Sequence, residues 1–243
     1  PSRMTPAEAA YYMGIPNVIM VTYDGKPVPP FDREALALSP LKQVVWSIIG
    51  DSSSNRTDKA ADLQEVLRLA GKYPNITGAM MDDFFHDGGE EAGRATVDEL
   101  RDFQDSLHSA ERAGGATGLD LWVVLYDRQI EMDFLSHMDN CDVVTYWTWK
   151  AEDLPDLEKN FNRLVERSPN SRKVLGIYMW DYGGQALMPM ERMEAQCEFG
   201  LQALKSGRIE GIIFLSNCVV DIELDAVEWT REWIASVGDT EIP

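Results

Sequence analysis

Positive charge, histidine and cysteine are what this chain has least of. Its 22 lysines and arginines face 41 aspartates and glutamates, for a net charge of −19. Nucleic-acid backbones and anionic membranes both reward clustered Lys and Arg, so neither is expected as a partner. No apolar run reaches 18 residues, so no helix here is long and apolar enough to cross a membrane. Cys141, Cys197 and Cys218 show no C-x-x-C spacing, and two of them lie in apolar runs. Buried thiols are therefore expected, rather than disulfides or a zinc site. The histidines are His86, His108 and His137, and they form no H-x-H or H-E-x-x-H pattern. No G-x-G-x-x-G is present to cradle a dinucleotide, and no G-x-S-x-G to activate a serine. No cofactor is expected.

What the chain does have is a strand–helix alternation. Hydrophobic residues make up 44% and charged residues 26% of 243 residues, enough for one sizeable core. Short apolar runs rich in β-branched residues fall at 17–22, 43–49, 76–81, 119–125, 141–146, 174–179 and 209–215. They do not alternate with polar residues, as parallel strands covered on both faces should not. Helical stripes lie between them. Examples are Leu63, Val66, Leu67 and Ala70; Leu100, Phe103, Leu107 and Ala110; and Leu157, Phe161, Leu164 and Val165. Val227, Trp233, Ile234 and Val237 close the chain, and Gly71, Gly114 and Gly207 sit where helix C-terminal caps belong. Repeated βαβ units predict an α/β fold, best met by a single TIM-type (β/α)8 barrel over residues 1–243. Seven strands are visible, and residues 5–13 read as a helix ahead of the first, so the missing first strand is expected upstream of Pro1. The chain starts PSRMTPAEAA without an initiator Met. Removal of a signal segment would make it secreted or periplasmic. The N-x-[ST] sequons at Asn55 and Asn75 are discounted, because such short motifs often arise by chance.

Barrel chemistry sits at the C-terminal ends of strands. Those ends are rich here in carboxylates and in rings with a polar tip. Tyr23, Tyr126, Tyr146, Trp147, Trp149, Tyr178, Trp180 and Tyr182 all fall at or just after a strand. Such rings can stack on the apolar face of a sugar while their N–H or O–H reaches a hydroxyl. Asp127, Asn217 and His86 complete the expected substrate-binding set, for a carbohydrate or other polyol. The sequence TGAMMDDFFHDGG is the strongest local signal. A core strand ends there on Asp82-Asp83, although an unpaired buried carboxylate is costly. Glycoside hydrolysis needs two carboxyl groups in different protonation states, which makes Asp82, Asp83 and Asp181 the catalytic candidates. Phe84 and Phe85 are expected to pack beneath the loop, with Gly88-Gly89 as its turn. Asp127 on its own reads more readily as a turn residue.

GAMMDDFFH resembles the strand-end signature of barrel glycoside hydrolases, in which a Gly on the fourth strand precedes a functional Asp by four positions. Gly78 and Asp82 occupy those places. Among alpha-amylase-like barrels that Asp is the nucleophile, and a His can follow four residues later, as His86 does. The chain departs from that pattern at Met80, where an Arg is usual. It departs from the chitinase-like pattern at Phe84, where a catalytic Glu is usual. With the first strand missing, GAMMDD becomes the fourth strand and VLGIYMWDYGG the seventh. The resemblance then implies that Asp82 works with Asp181, and that the fold is glycosidase-like. Two other functions fit the same residues. A metal-dependent isomerase, aldolase or hydrolase would use Asp82, Asp83, His86 and Asp127 as ligands. A non-catalytic carbohydrate-binding barrel would keep only the aromatic rings.

Overall fold

A computed structural model describes residues 2–53, 59–86 and 93–241. Asn55 and the Gly88-Gly89 pair lie outside the described residues. The chain opens with α1 (Pro6–Met13), β1 (Asn17–Met20), α2 (Asp32–Leu38), β2 (Gln43–Ile49), α3 (Lys59–Ala70) and β3 (Ile76–Met81). It continues through α4 (Val97–His108), β4 (Asp120–Tyr126), α5 (Leu135–Met138), β5 (Val143–Trp147) and α6 (Leu157–Arg167). The last elements are β6 (Arg172–Tyr178), β7 (Trp180–Asp181), β8 (Ala186–Leu187), α7 (Met190–Lys205), β9 (Gly211–Leu215) and α8 (Asp225–Val237). Seven strands form one sheet in the order β1-β2-β3-β4-β5-β6-β9, and β7 and β8 make a separate two-stranded ribbon. The β1–β2, β2–β3, β3–β4 and β6–β9 ladders are parallel, with registers such as Asn17↔Gln43 and Val174↔Gly211. This is the α/β, TIM-type alternation expected from the apolar runs.

The helices form where the sequence supplies both a cap and a stripe. Thr5 and Thr96 each accept the N–H of a glutamate three residues on, Glu8 and Glu99, whose carboxylates accept the threonine N–H in return. These capping boxes satisfy two of the orphan donors at each helix start. Pro6 takes the first helical position of α1, where a missing N–H costs nothing. Leu100, Phe103 and Leu107 bury one face of α4, and Leu157, Phe161 and Leu164 one face of α6. After α7, Gly207 adopts φ +69, and the Arg208 N–H returns to the Ala203 carbonyl, so this glycine closes its helix as expected. Gly114 does not. The helix before it ends at His108 with Ser109 as cap, and Gly114 sits in a short turn five residues later. Neither α2 nor the β7–β8 ribbon is legible as a pattern, because both are too short to show a period.

Packing groups the residues into two compact units. The early-strand unit comprises Pro16–Leu125 and Met132–Val144; the late-strand unit comprises Pro1–Ile15, Tyr126–Glu131 and Thr145–Pro243. In the early-strand unit, β2 and β3 are almost wholly buried, and Leu63, Val66 and Leu69 of α3 lie in the core. Phe31 is fully buried and stacks on Trp46 of β2, with ring centroids 5.3 Å apart. In the late-strand unit, Gly200 lets α7 approach β9 closely, since a Cβ there would sit 2.7 Å from Ile212 Cδ1. Cys141 and Cys197 are buried, and burial pushes both thiols up. Cys218 is exposed, contrary to expectation, because it follows β9 on a surface turn.

Candidate active site

The early-strand unit collects carboxylates at the C-terminal ends of β1, β2 and β3. The Asp82 N–H continues the ladder to the Ile49 carbonyl at 2.9 Å, so the backbone is still held as strand when the acidic pair begins. Asp83 then turns into the left-handed region at φ +42. That turn sends the two side chains to different partners. Asp82 Oδ1 accepts the Asp83 N–H at 3.0 Å, while Asp83 Oδ2 accepts the Ser52 N–H at 2.8 Å. Asp51, after β2, accepts the Asp24 N–H at 3.2 Å through one oxygen. Its other oxygen takes the Ser53 N–H and hydroxyl, at 3.2 and 2.5 Å.

Asp82 differs from its neighbours in electrostatics. Part of the residue stays open to solvent, yet its carboxyl is ringed by protein, and its pKa is pushed up to about 7. Desolvation is the main cause, followed by the charge of Asp83 and, more weakly, that of Asp51. The Asp83 N–H and the Arg94 guanidinium oppose the rise without cancelling it. Arg94 is held away from full neutralisation by its backbone partners: Nη1 donates to the Gly50 carbonyl and, at 3.3 Å, to the Asp82 carbonyl. Nothing in the spacing of the sequence singles out Arg94. It reaches Asp82 because the chain doubles back, with an isolated bridge between Phe85 and Gly93 and the Arg94 N–H on the Phe84 carbonyl at 2.9 Å. Phe84 and Phe85 are buried edge to face, as expected, and Phe84 lies against Gly93 so closely that a Cβ there would be 2.4 Å from its ring. His86 is exposed.

The late-strand unit holds most of the expected rings. Trp149 is half-buried among Tyr178 at 5.6 Å, Tyr126 at 5.8 Å and Tyr182 at 6.2 Å between centroids. The Arg128 guanidinium lies 4.4 Å from the centre of the Tyr126 ring, a cation–π distance. Asp127 accepts the Trp149 N–H at 3.3 Å, and burial raises its pKa. Asp181 is buried within the β7–β8 ribbon and accepts the Gly184 N–H at 2.8 Å. The next glycine back, Gly183, donates to the Trp149 carbonyl at 3.2 Å. Trp180, on the same ribbon, is half-buried, and the Tyr182 hydroxyl lies 3.4 Å from Ser216 Oγ. Asn217 donates to the Met4 carbonyl at 3.0 Å. Trp147 and Tyr146 belong to the core instead. Trp147 is buried, with Nε1 on Thr145 Oγ1 at 2.9 Å, and Tyr146 is fully buried with its ring 6.0 Å from that of Phe161 on α6. Successive strand residues face opposite sides, so Tyr146 falls to the helix layer.

The expected carboxylates and rings are thus distributed over both units. Within the early-strand unit, Asp82 and Asp83 are joined by Asp51 and Asp24; within the late-strand unit, Asp127, Trp149 and Tyr182 gather together. Among the described residues, no three His, Cys, Asp or Glu side chains are grouped so as to hold a metal ion. His108 and His137 lie on α4 and α5; His108 Nε2 pairs with Asp142 at 3.0 Å.

No known family pattern matches the chain, and no curated protein matches its sequence. Solved structures do match its fold. An assigned alpha-L-fucosidase from Bacteroides thetaiotaomicron is 12% identical with a TM-score of 0.61, over 98% of this chain and 86% of its own. Xylanase A of P. fluorescens subsp. cellulosa, in complex with xylopentaose, is 11% identical at a TM-score of 0.56, over 96% and 93%. A family 5 glycoside hydrolase from Prevotella bryantii is 14% identical at 0.53, over 94% and 86%. At these identities the likeness is one of fold: the chain shares a TIM-type α/β architecture with glycoside hydrolases.

Proposed function

We propose that the chain is a glycoside hydrolase-like enzyme in which Asp82 is the general acid. The observation that carries this is a strand-end carboxyl group whose pKa lies near 7 beside a second, hydrogen-bonded carboxylate. A glycosidase acid must keep its proton near neutral pH and still release it to the leaving oxygen, and desolvation next to another carboxylate is the usual way to achieve that. Asp83 is the neighbouring carboxylate, oriented by the Ser52 N–H, that would supply the nucleophile or the base for water. Support at the level of fold comes from the fucosidase, xylanase and family 5 neighbours, and the exposed ring Tyr23, in the same unit as Asp82, suits a carbohydrate.

The test is turnover of a panel of aryl glycosides and oligosaccharides by the purified protein, with and without EDTA. Asp82→Asn is expected to lower turnover by about 10²–10⁴-fold, the usual contribution of a positioned acid, with far-UV circular dichroism unchanged. Wild-type turnover in Asp82→Asn sinks the assignment. Loss with EDTA and rescue by a divalent cation would replace it with the metal-dependent reading. Asp181→Asn measures whether that carboxylate does more than hold its turn.

A further inference from the structure

Tyr23 is the most exposed of the strand-end rings, at 70% of its full surface. A lone exposed ring is ordinary. Tyr23 differs in being carried on a loop that is fixed at every stage. At its start, Thr22 is buried against Gly50, where a Cβ would come within 2.4 Å of the Thr22 carbonyl oxygen. Tyr23 and Lys26 exchange two backbone hydrogen bonds of 2.9 Å around Asp24 (φ +47) and Gly25 (φ +70), a two-residue turn of the tight hairpin kind. Pro27, Pro29 and Pro30 restrict the backbone that follows. The loop ends on Phe31, fully buried on Trp46, with its N–H on Glu65 Oε1 at 2.9 Å.

The same loop is hydrogen-bonded to the carboxylates. The Asp24 N–H is held by Asp51, and the residue after Asp51, Ser52, donates to Asp83. The backbone that carries the ring is thus tied through the Asp24 N–H to Asp51, whose neighbour Ser52 is bonded to Asp83, and Val28, 61% exposed, adds apolar surface on the same arm. We infer that the arm 22–31 presents Tyr23 as a stacking platform for a neutral sugar ring bound beside Asp51 and Asp83. This rests on the hydrolase reading for its role in turnover, but not for binding. A pyranose offers the two surfaces required, an apolar face for the ring and hydroxyl hydrogens for the carboxylates. A uronic acid is disfavoured, since Asp24, Asp51 and Asp83 would repel its charge. Because the arm is already ordered, stacking costs little conformational entropy.

The experiment is calorimetric titration of the whole protein with xylopentaose, cellopentaose and, as the anionic control, tetragalacturonate. At least one neutral pentaose is expected to bind, and Tyr23→Ala to weaken its Kd on the order of tenfold, the size of one ring-stacking contact. Tyr23→Trp should restore binding, and Tyr23→Phe should keep most of it. The inference is overturned if no neutral pentaose binds, if Tyr23→Ala binds like the wild type, or if tetragalacturonate binds more tightly. It is also overturned if Tyr23→Phe loses as much as Tyr23→Ala, which would make the hydroxyl rather than the ring face responsible. Asp82→Asn, titrated and assayed in parallel, separates the two proposals. Unimpaired hydrolysis in that variant removes the acid assignment and leaves the platform to be judged on the titration alone.

Discussion

Replacing Asp82 by Asn tests the electrostatics of the site without any substrate. In the folded chain its carboxyl titrates near 7; unfolded, it returns to the ordinary value of 3.8. Between those two values the folded state binds the extra proton, so stability falls as pH rises through the window, and above about 7 the whole cost is present. At roughly 1.4 kcal/mol per tenfold change in acid constant, the ceiling is about 4 kcal/mol. Partial exposure of the residue and the buried amide left in its place reduce this, so a gain of about 2 kcal/mol at pH 8 is expected for Asp82→Asn. At pH 4 the two proteins should be nearly equal. Urea unfolding monitored by tryptophan fluorescence from pH 4 to 8 measures the difference, and taking variant against wild type cancels the other carboxylates, provided m-values agree. Parallel stability–pH curves, or a variant weaker than wild type at pH 8, would refute the claim that burial and Asp83 hold this proton.

Three further outcomes follow from other parts of the fold. Lys173, at the start of β6, is buried with its ammonium on the Ser168 and Ser171 carbonyls and Ser171 Oγ, and burial lowers its pKa to about 8. Between about 8 and 10.5 the unfolded state holds the extra proton, so wild-type stability should rise with pH relative to Lys173→Met, by up to about 3 kcal/mol, in urea titrations from pH 7 to 10.5. Gly176→Ala would place a Cβ 2.0 Å from Trp147 Cδ2, and that ring is pinned by its bond to Thr145. A loss of about 3 kcal/mol in urea unfolding is expected, and a neutral result would show that Trp147 can move. Thr96→Ala removes a capping box from α4 and should cost about 1 kcal/mol, read as a lower melting temperature.

The order of the elements was legible because it depends on local pattern. Seven apolar runs became seven strands within a few residues, since a strand buried on both faces must be apolar whatever it packs against. Thr5-x-x-Glu8 and Thr96-x-x-Glu99 likewise specify their helix starts through hydrogen bonds that span three residues. The Asp82-Asp83 pair stood out for the same reason: the cost of a charge at the end of a core strand can be read from four neighbours. What the pair does could not be read there. The proton on Asp82 depends first on burial and then on the charge of Asp83, with a weaker push from Asp51 and opposition from Arg94, 31 and 12 residues away along the chain, and the φ +42 turn at Asp83 gives the two carboxylates different partners. Which rings face solvent was equally hidden, because Tyr146 and Tyr23 have the same chemistry, and only the face of the strand and the course of the loop separate a buried ring from an exposed one. Composition and periodicity therefore determined the fold class and the candidates, through interactions between near neighbours. Protonation, orientation and exposure were decided by contacts between residues that only the tertiary structure brings together.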